Sequence, residues 1–223
     1  AEFEGQTSLA PSYFAVYPYD KDAVVADGSI SFTLNTEQKY KAGSFDEGAF
    51  PMIARSSDTN DDGLMFYNLC GVLEVNLTGE EKVTKISFSS NNKVSGKFSV
   101  NANYEQYPEM VPDASSMTST TLDCGEGVQL KADSPTPFYF VLPPGTYDAF
   151  TLMIHTSDGK MMFKQSQQPL TIKRSVIIKS GALAYVESVS IDLSIRGTAN
   201  SYVVSGAGMY SFDASVIGNG SYG

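Results

Sequence analysis

The chain has no tryptophan, one histidine (His155) and two cysteines (Cys70 and Cys124) in 223 residues. Each shortage removes a class of function. One imidazole almost removes histidine-based metal centres and weakens any triad mechanism, in which a histidine must shuttle the proton. Two cysteines make no disulfide framework. Both lie in apolar settings, Asn68-Leu-Cys-Gly71 and Leu122-Asp-Cys-Gly125, which favours buried free thiols over a bridge. Cationic side chains are also scarce. Fifteen Lys+Arg stand against 25 Asp+Glu, a formal charge of -10, and nucleic acid is opposed because phosphate neutralisation needs clustered Lys and Arg. Charged residues total 18 %, below the roughly 25 % usual in soluble domains.

Long apolar runs are missing as well. The longest clean ones, such as residues 138–142, fall far short of the roughly 20 residues a membrane helix needs. Ala1-Glu-Phe-Glu4 lacks the basic and apolar regions of a signal peptide, so the chain is expected to be either cytoplasmic or already processed. Sustained helical periodicity is absent too.

What is present is alternation of period two. Ile30, Phe32 and Leu34 share a face, and Leu73, Val75 and Leu77 point inward with Glu74 and Asn76 outward. The pairs Ile86/Phe88 and Phe98/Val100, and the stripes Phe138/Phe140/Leu142 and Phe150/Leu152/Ile154, repeat the pattern. Turn chemistry separates these runs at Asp27-Gly28, Asn91-Asn92, Pro144-Gly145 and Asp158-Gly159. Pro144-Gly145 suits a type II turn, and Asp158-Gly159 between apolar runs signals a hairpin. A short helical turn is expected near residues 104–110. Residues 171–178 and 183–189 read as strands closing a large body over residues 1–187. Residues 188–223 then hold about three short strands, too few to bury a core alone. They either complete the sandwich, begin a second domain, or serve as a donor or linker segment. The fold class is therefore all-β, an antiparallel sandwich with extra C-terminal strands.

Chemistry-bearing patterns are few. Asp58-Thr-Asn-Asp-Asp-Gly63 opens like a calcium loop, with Asp58, Asn60 and Asp62 as candidate ligands. The twelfth position is Leu69 where a bidentate acid is required, so a solvated acidic hairpin is favoured. His155 lies opposite Ile154 and reads as a surface or strand-edge residue, since no G-x-S-x-G elbow presents a nucleophile. Gly125-Glu-Gly127 lacks the helix and the lysine of a phosphate loop, and no local pair of carboxylates suggests glycoside hydrolysis. Tyr104 and Tyr107, with Asn101 and Asn103, form a polar loop in which rings stand beside amides. That pattern suits glycan binding, whereas the bland alternative is tyrosine as a strand residue with a polar tip. No cofactor is expected, and an enzyme is the least supported class.

One larger pattern remains. The order Ala15-Val-Tyr-Pro-Tyr19, Ile30-Ser-Phe-Thr-Leu34 with Gln38, Pro51-Met-Ile-Ala54, Leu64-Met-Phe-Tyr-Asn-Leu-Cys-Gly-Val-Leu-Glu-Val75 and Val83-Thr-Lys-Ile86 resembles the fimbrillin-like proteins of Bacteroidales. Leu142-Pro-Pro-Gly-Thr-Tyr147, Ser157-Asp-Gly-Lys160 and Leu170-Thr-Ile-Lys-Arg174 extend the likeness to about residues 13–185. The resemblance rests on order, with no single diagnostic motif. It implies a transthyretin-like Greek-key β-sandwich, export to the periplasm, a lipid anchor through an upstream cysteine, and a non-catalytic surface role in adhesion or pilus assembly. Its implied partners are other subunits joined by β-strand addition, with a host or bacterial surface glycan or protein as ligand. Tyr202, Val204, Tyr210 and Phe212 are the candidate donor-strand plugs. The alternative reading is a surface lipoprotein carbohydrate-binding module.

Overall fold

Alternating apolar residues become strands along most of the chain. A computed structural model describes residues 13–56, 64–166 and 168–188. In chain order the strands are β1 (Phe14–Tyr17), β2 (Val24–Ala26), β3 (Ser29–Leu34), β4 (Glu37–Lys39), β5 (Met52–Arg55), β6 (Tyr67–Asn68), β7 (Gly71–Thr78), β8 (Lys82–Ser90) and β9 (Gly96–Asn101). They continue as β10 (Met110–Pro112), β11 (Ser119–Gln129), β12 (Thr136–Leu142), β13 (Gly145–Tyr147), β14 (Phe150–Thr156), β15 (Met161–Ser166), β16 (Leu170–Ile172) and β17 (Ile177–Ala184). Among the described residues the only helix is a 3-10 turn at Glu47–Ala49, capped by the Asp46 carboxylate, which accepts from Gly48 N at 3.0 Å.

The strands form a β-sandwich built around two cores. A five-stranded sheet (β15-β14-β8-β11-β4) and a three-stranded sheet (β12-β7-β17) enclose the first. Ile86, Phe88, Leu122, Leu152 and Ile154 meet Leu73, Val75, Leu77, Phe138, Phe140 and Leu142 there. The second core lies on the other side of β7 and β12, whose Val72 and Val141 meet Ile30, Phe32, Phe98 and Val100 from the sheet β10-β9-β3-β2 and Ile53 from β1-β5-β6. The β7–β12 pair is therefore covered on both faces, which explains the unbroken run Phe138-Tyr-Phe-Val-Leu142. Each such buried side chain is worth about 1.5–3 kcal/mol relative to exposure. Glu74, expected to face water, is instead only 6 % exposed for the same reason.

Turn chemistry is met in part. Asp27 (φ 51°) and Gly28 (φ 73°) both take positive φ, the demand of a type I′ hairpin, and join β2 to β3. Asp158-Gly159 joins the antiparallel pair β14–β15. Pro144-Gly145 is not a type II turn. Gly145 has φ 154° and opens β13, where a type II turn needs about +80°. The chain changes sheets here, and the buried Tyr147 hydroxyl fastens the corner by donating to Pro143 O at 2.7 Å. The helical turn expected at residues 104–110 is a series of bends running into β10. The two late strands expected at 171–178 and 183–189 are replaced by the short β16 and by β17, which crosses the gap between them. The sheets are not wholly antiparallel either, since β11–β4 and β17–β7 are parallel. Residues 189–223, and with them the expected C-terminal strands, lie outside the described residues.

Candidate functional site

Two features stand apart from the packed interior: a tyrosine–arginine row and a free sheet edge. The row starts at β5 and β6. Tyr67 pairs opposite Ile53 in the ladder, and Arg55 follows Ile53 on the same face of its strand. The loop after β9 brings Tyr104 and Tyr107 against Tyr67, edge-on, with ring centroids 5.8 and 5.9 Å away. A guanidinium lies over each outer ring, Arg55 5.2 Å from the centre of Tyr104 and Arg174 4.2 Å from that of Tyr107. Arg55 Nη1 donates to Ala102 O at 3.1 Å and Arg174 Nη1 to Asn68 O at 3.4 Å.

The position of Arg174 is built with some care. Gly71 lets the loop after β16 come so close that a Cβ there would lie 2.2 Å from Lys173 O. Ser175, at φ 59°, turns the chain, donates its N–H to Cys70 O at 2.9 Å and accepts from Asn68 Nδ2 at 3.1 Å. Among the described residues neither arginine has a carboxylate partner, whereas Lys21, Lys39, Lys41, Lys160 and Lys179 do. Tyr104 packs on the second core while Tyr107 is 57 % exposed. Burial pushes the Tyr104 hydroxyl above its ordinary pKa, and Arg55 pulls it the other way.

The free edge is β17. It pairs with β7 on one side, and no described strand lies on the other. Ile178 and Leu183 pack on the first core, while Ile177 is 48 % exposed. A bulge follows Lys179. Ser180 Oγ accepts from Asn76 N at 3.0 Å, Ser180 O accepts from Asn76 Nδ2 at 3.2 Å, and Lys179 Nζ reaches the buried Glu74 at 3.0 Å. Beside the start of β17 lies an open apolar groove of about 370 Å³, walled by Tyr17, Phe45, Phe50, Met52, Val72 and Ile177.

No protein-family model matches the chain, and no curated protein matches it. Several solved structures are similar, among them two from Bacteroides. One, from Bacteroides ovatus and described provisionally as a cell adhesion protein, aligns with TM-score 0.48 and 12 % identity over 80 % of this chain and 68 % of that one. The other, from Bacteroides uniformis and described in the same terms, has TM-score 0.41 and 14 % identity over 69 % of this chain and 58 % of that one. At these scores the likeness carries neither fold nor function across.

The remaining sequence candidates are placed as follows. Tyr104 and Tyr107 converge, through Tyr67. Asn101 Oδ1 accepts from Asn103 N at 2.8 Å, so that side chain shapes the turn leaving β9. Asp58, Asn60 and Asp62, and likewise Tyr202, Val204, Tyr210 and Phe212, lie outside the described residues. His155 does face away from the buried Ile154, but its strand is not an edge, because β14 lies between β15 and β8. Partial burial, then Lys85 opposite it, lowers its pKa, which keeps the ring neutral at pH 7. Cys70 and Cys124 are both free and buried, one in each core. Burial pushes both thiols up, Cys124 to about 12, so neither is a thiolate nucleophile at neutral pH. Among the described residues no three His, Cys, Asp or Glu side chains gather as metal ligands, and no helix is long and apolar enough to cross a membrane. The sequence reading missed Tyr67, Arg55 and Arg174. The one signal for them was rarity, since the chain has three arginines and two of them meet here.

Proposed function

We propose that this chain is a non-catalytic subunit of the bacterial cell surface, acting in adhesion or in a pilus, that joins its neighbours by β-strand addition at the free edge of β17. The carrying observation is that edge itself: an eight-residue strand that, among the described residues, is paired on one side only, beside an apolar groove. Backbone N–H and C=O groups along an unpaired edge supply a ladder for an incoming strand, and a flanking groove supplies the pocket that sets its register. The order of motifs resembling fimbrillin-like proteins supports the same reading. That order also supports export, an outer-membrane or fimbrial location and a transthyretin-like topology. Hydrogen exchange on assembled and monomeric protein tests the reading. The amides of β17 gain protection on assembly. Protection gained elsewhere, with these amides unchanged, overturns strand addition at this edge.

The tyrosine–arginine row favours a second reading, a surface carbohydrate-binding module. Flat ring faces with polar tips are what a sugar needs from a protein surface. A glycan array without a hit would remove it.

A further inference from the structure

The two described arginines carry positive charge that no carboxylate neutralises, as several described lysines also do, but only the arginines are stacked on tyrosine rings. The formal charge is -10, yet among the described residues no carboxylate comes within ion-pair distance of Arg55 or Arg174. Each guanidinium offers five N–H donors, and one from each is used, on a backbone carbonyl. Stacking on a ring holds a guanidinium flat and in place, so little rotamer freedom is lost when its free edge accepts a ligand. Between the two lie three rings in edge-on contact, the outer two no more than about 12 Å apart, within reach of a single short saccharide. Glu105 and Glu109 share the loop with Tyr104 and Tyr107 but form no ion pair with either arginine.

We propose that Tyr67, Tyr104, Tyr107, Arg55 and Arg174 form a binding site for an acidic saccharide, a short glycan with a carboxylate on a sugar ring. The planar fork of Arg174 or Arg55 takes the carboxylate in a two-point hydrogen bond, and the exposed ring of Tyr107 carries the apolar face of the sugar on the side away from Arg174. A polyanionic peptide fits less well, because it would need a run of cations in place of two forks separated by tyrosines. Nucleic acid is opposed by the overall negative charge. The inference rests on the carbohydrate reading above and is independent of strand addition at β17.

Titration calorimetry of the whole chain tests it with four probes: trigalacturonate, sialyllactose, the methyl ester of trigalacturonate, and tetraglutamate. At least one of the two acidic saccharides binds, and which one binds identifies the source of the carboxylate. For trigalacturonate, the methyl ester binds at least tenfold more weakly. Arg174→Ala and Tyr107→Ala each weaken the acidic ligand at least tenfold with unchanged circular dichroism. Arg174→Lys recovers only part of the loss, because an ammonium cannot make the two-point contact. No binding of either acidic saccharide at millimolar concentration overturns the proposal, as does full affinity in both Ala variants. Equal binding of the ester overturns the acidic specificity while leaving a carbohydrate module standing. Tetraglutamate binding as tightly as the sugars overturns the ligand class.

Discussion

The two edges of the β12-β7-β17 sheet are built in opposite ways. β12 is buried nearly throughout, and its outer edge is closed by a side chain. The Gln38 amide, 2 % exposed, donates from Nε2 to Val141 O at 2.9 Å and accepts at Oε1 from Val141 N at 2.8 Å. Gln38 belongs to β4 in the facing sheet, so its amide both imitates a paired strand and ties the two sheets together. Among the described residues β17 has no such closure. Ser180 and Lys179 are engaged inward, toward Asn76 and Glu74, and no described strand lies on the outer side of β17. An unpaired edge is a hazard unless it is covered or used. Among the described residues one edge of the sheet is covered and the other is not.

The sharpest way to break this contrast is to cut the same kind of side chain from each edge. Phe140→Ala removes a fully buried ring packed on Phe88 and should cost about 3–5 kcal/mol in urea unfolding. Ile177→Ala, on exposed β17, should cost less than about 0.5 kcal/mol. Similar losses at both positions would end the distinction. Gln38→Leu comes next, at about 2–4 kcal/mol, because it strands the N–H and C=O of Val141 in a buried site. Gly71→Ala forces Lys173 O away from β7. It should cost about 1–3 kcal/mol as overpacking and should also weaken any ligand that depends on Arg174. Lys179→Ala removes one partner of Glu74, but the ammonium is mostly in water and Asn76 still donates to the carboxylate at 3.1 Å, so about 1 kcal/mol or less is expected.

The smallest effect concerns a third edge, β15. Its strand is tied down by Ser188, whose N–H donates to Met161 O at 2.7 Å and whose Oγ accepts from Phe163 N at 2.9 Å. At its turn the Thr156 hydroxyl, then the Lys160 ammonium, hold the Asp158 carboxyl down at about 2. The usual value is about 3.9, so this contribution is complete above about pH 4 and is lost as pH falls through 2. Asp158→Asn should flatten the stability profile across that window and leave it unchanged at pH 7.

The strand stripes were legible because period-two alternation is a local property. Ile30/Phe32/Leu34 and Phe150/Leu152/Ile154 needed only a neighbour on one side. Glu74 was misread by the same rule, since alternation says which residues share a face and not whether the second face meets water. The Pro144-Gly145 turn was misread because a sheet change, unlike a hairpin, is decided by where the next strand docks. Of the candidate site, Tyr104 and Tyr107 were visible as a cluster in one loop. Tyr67, Arg55 and Arg174 were not, because they come from β6, β5 and the loop after β16 and meet only when those pieces pack.

The sequence by itself determined the class: an acidic, all-β chain, short of histidine and cysteine, with alternating stripes and a family-like order of motifs. Those are properties of composition and of neighbours a few residues apart. Only the tertiary structure decided that one sheet is covered on both faces, that Gln38 closes one of its edges while no described strand pairs with β17 at the other, and that two arginines meet three tyrosines. Each of these depends on residues tens of positions apart coming within hydrogen-bond or ring-contact distance. Packing, not periodicity, sets those distances.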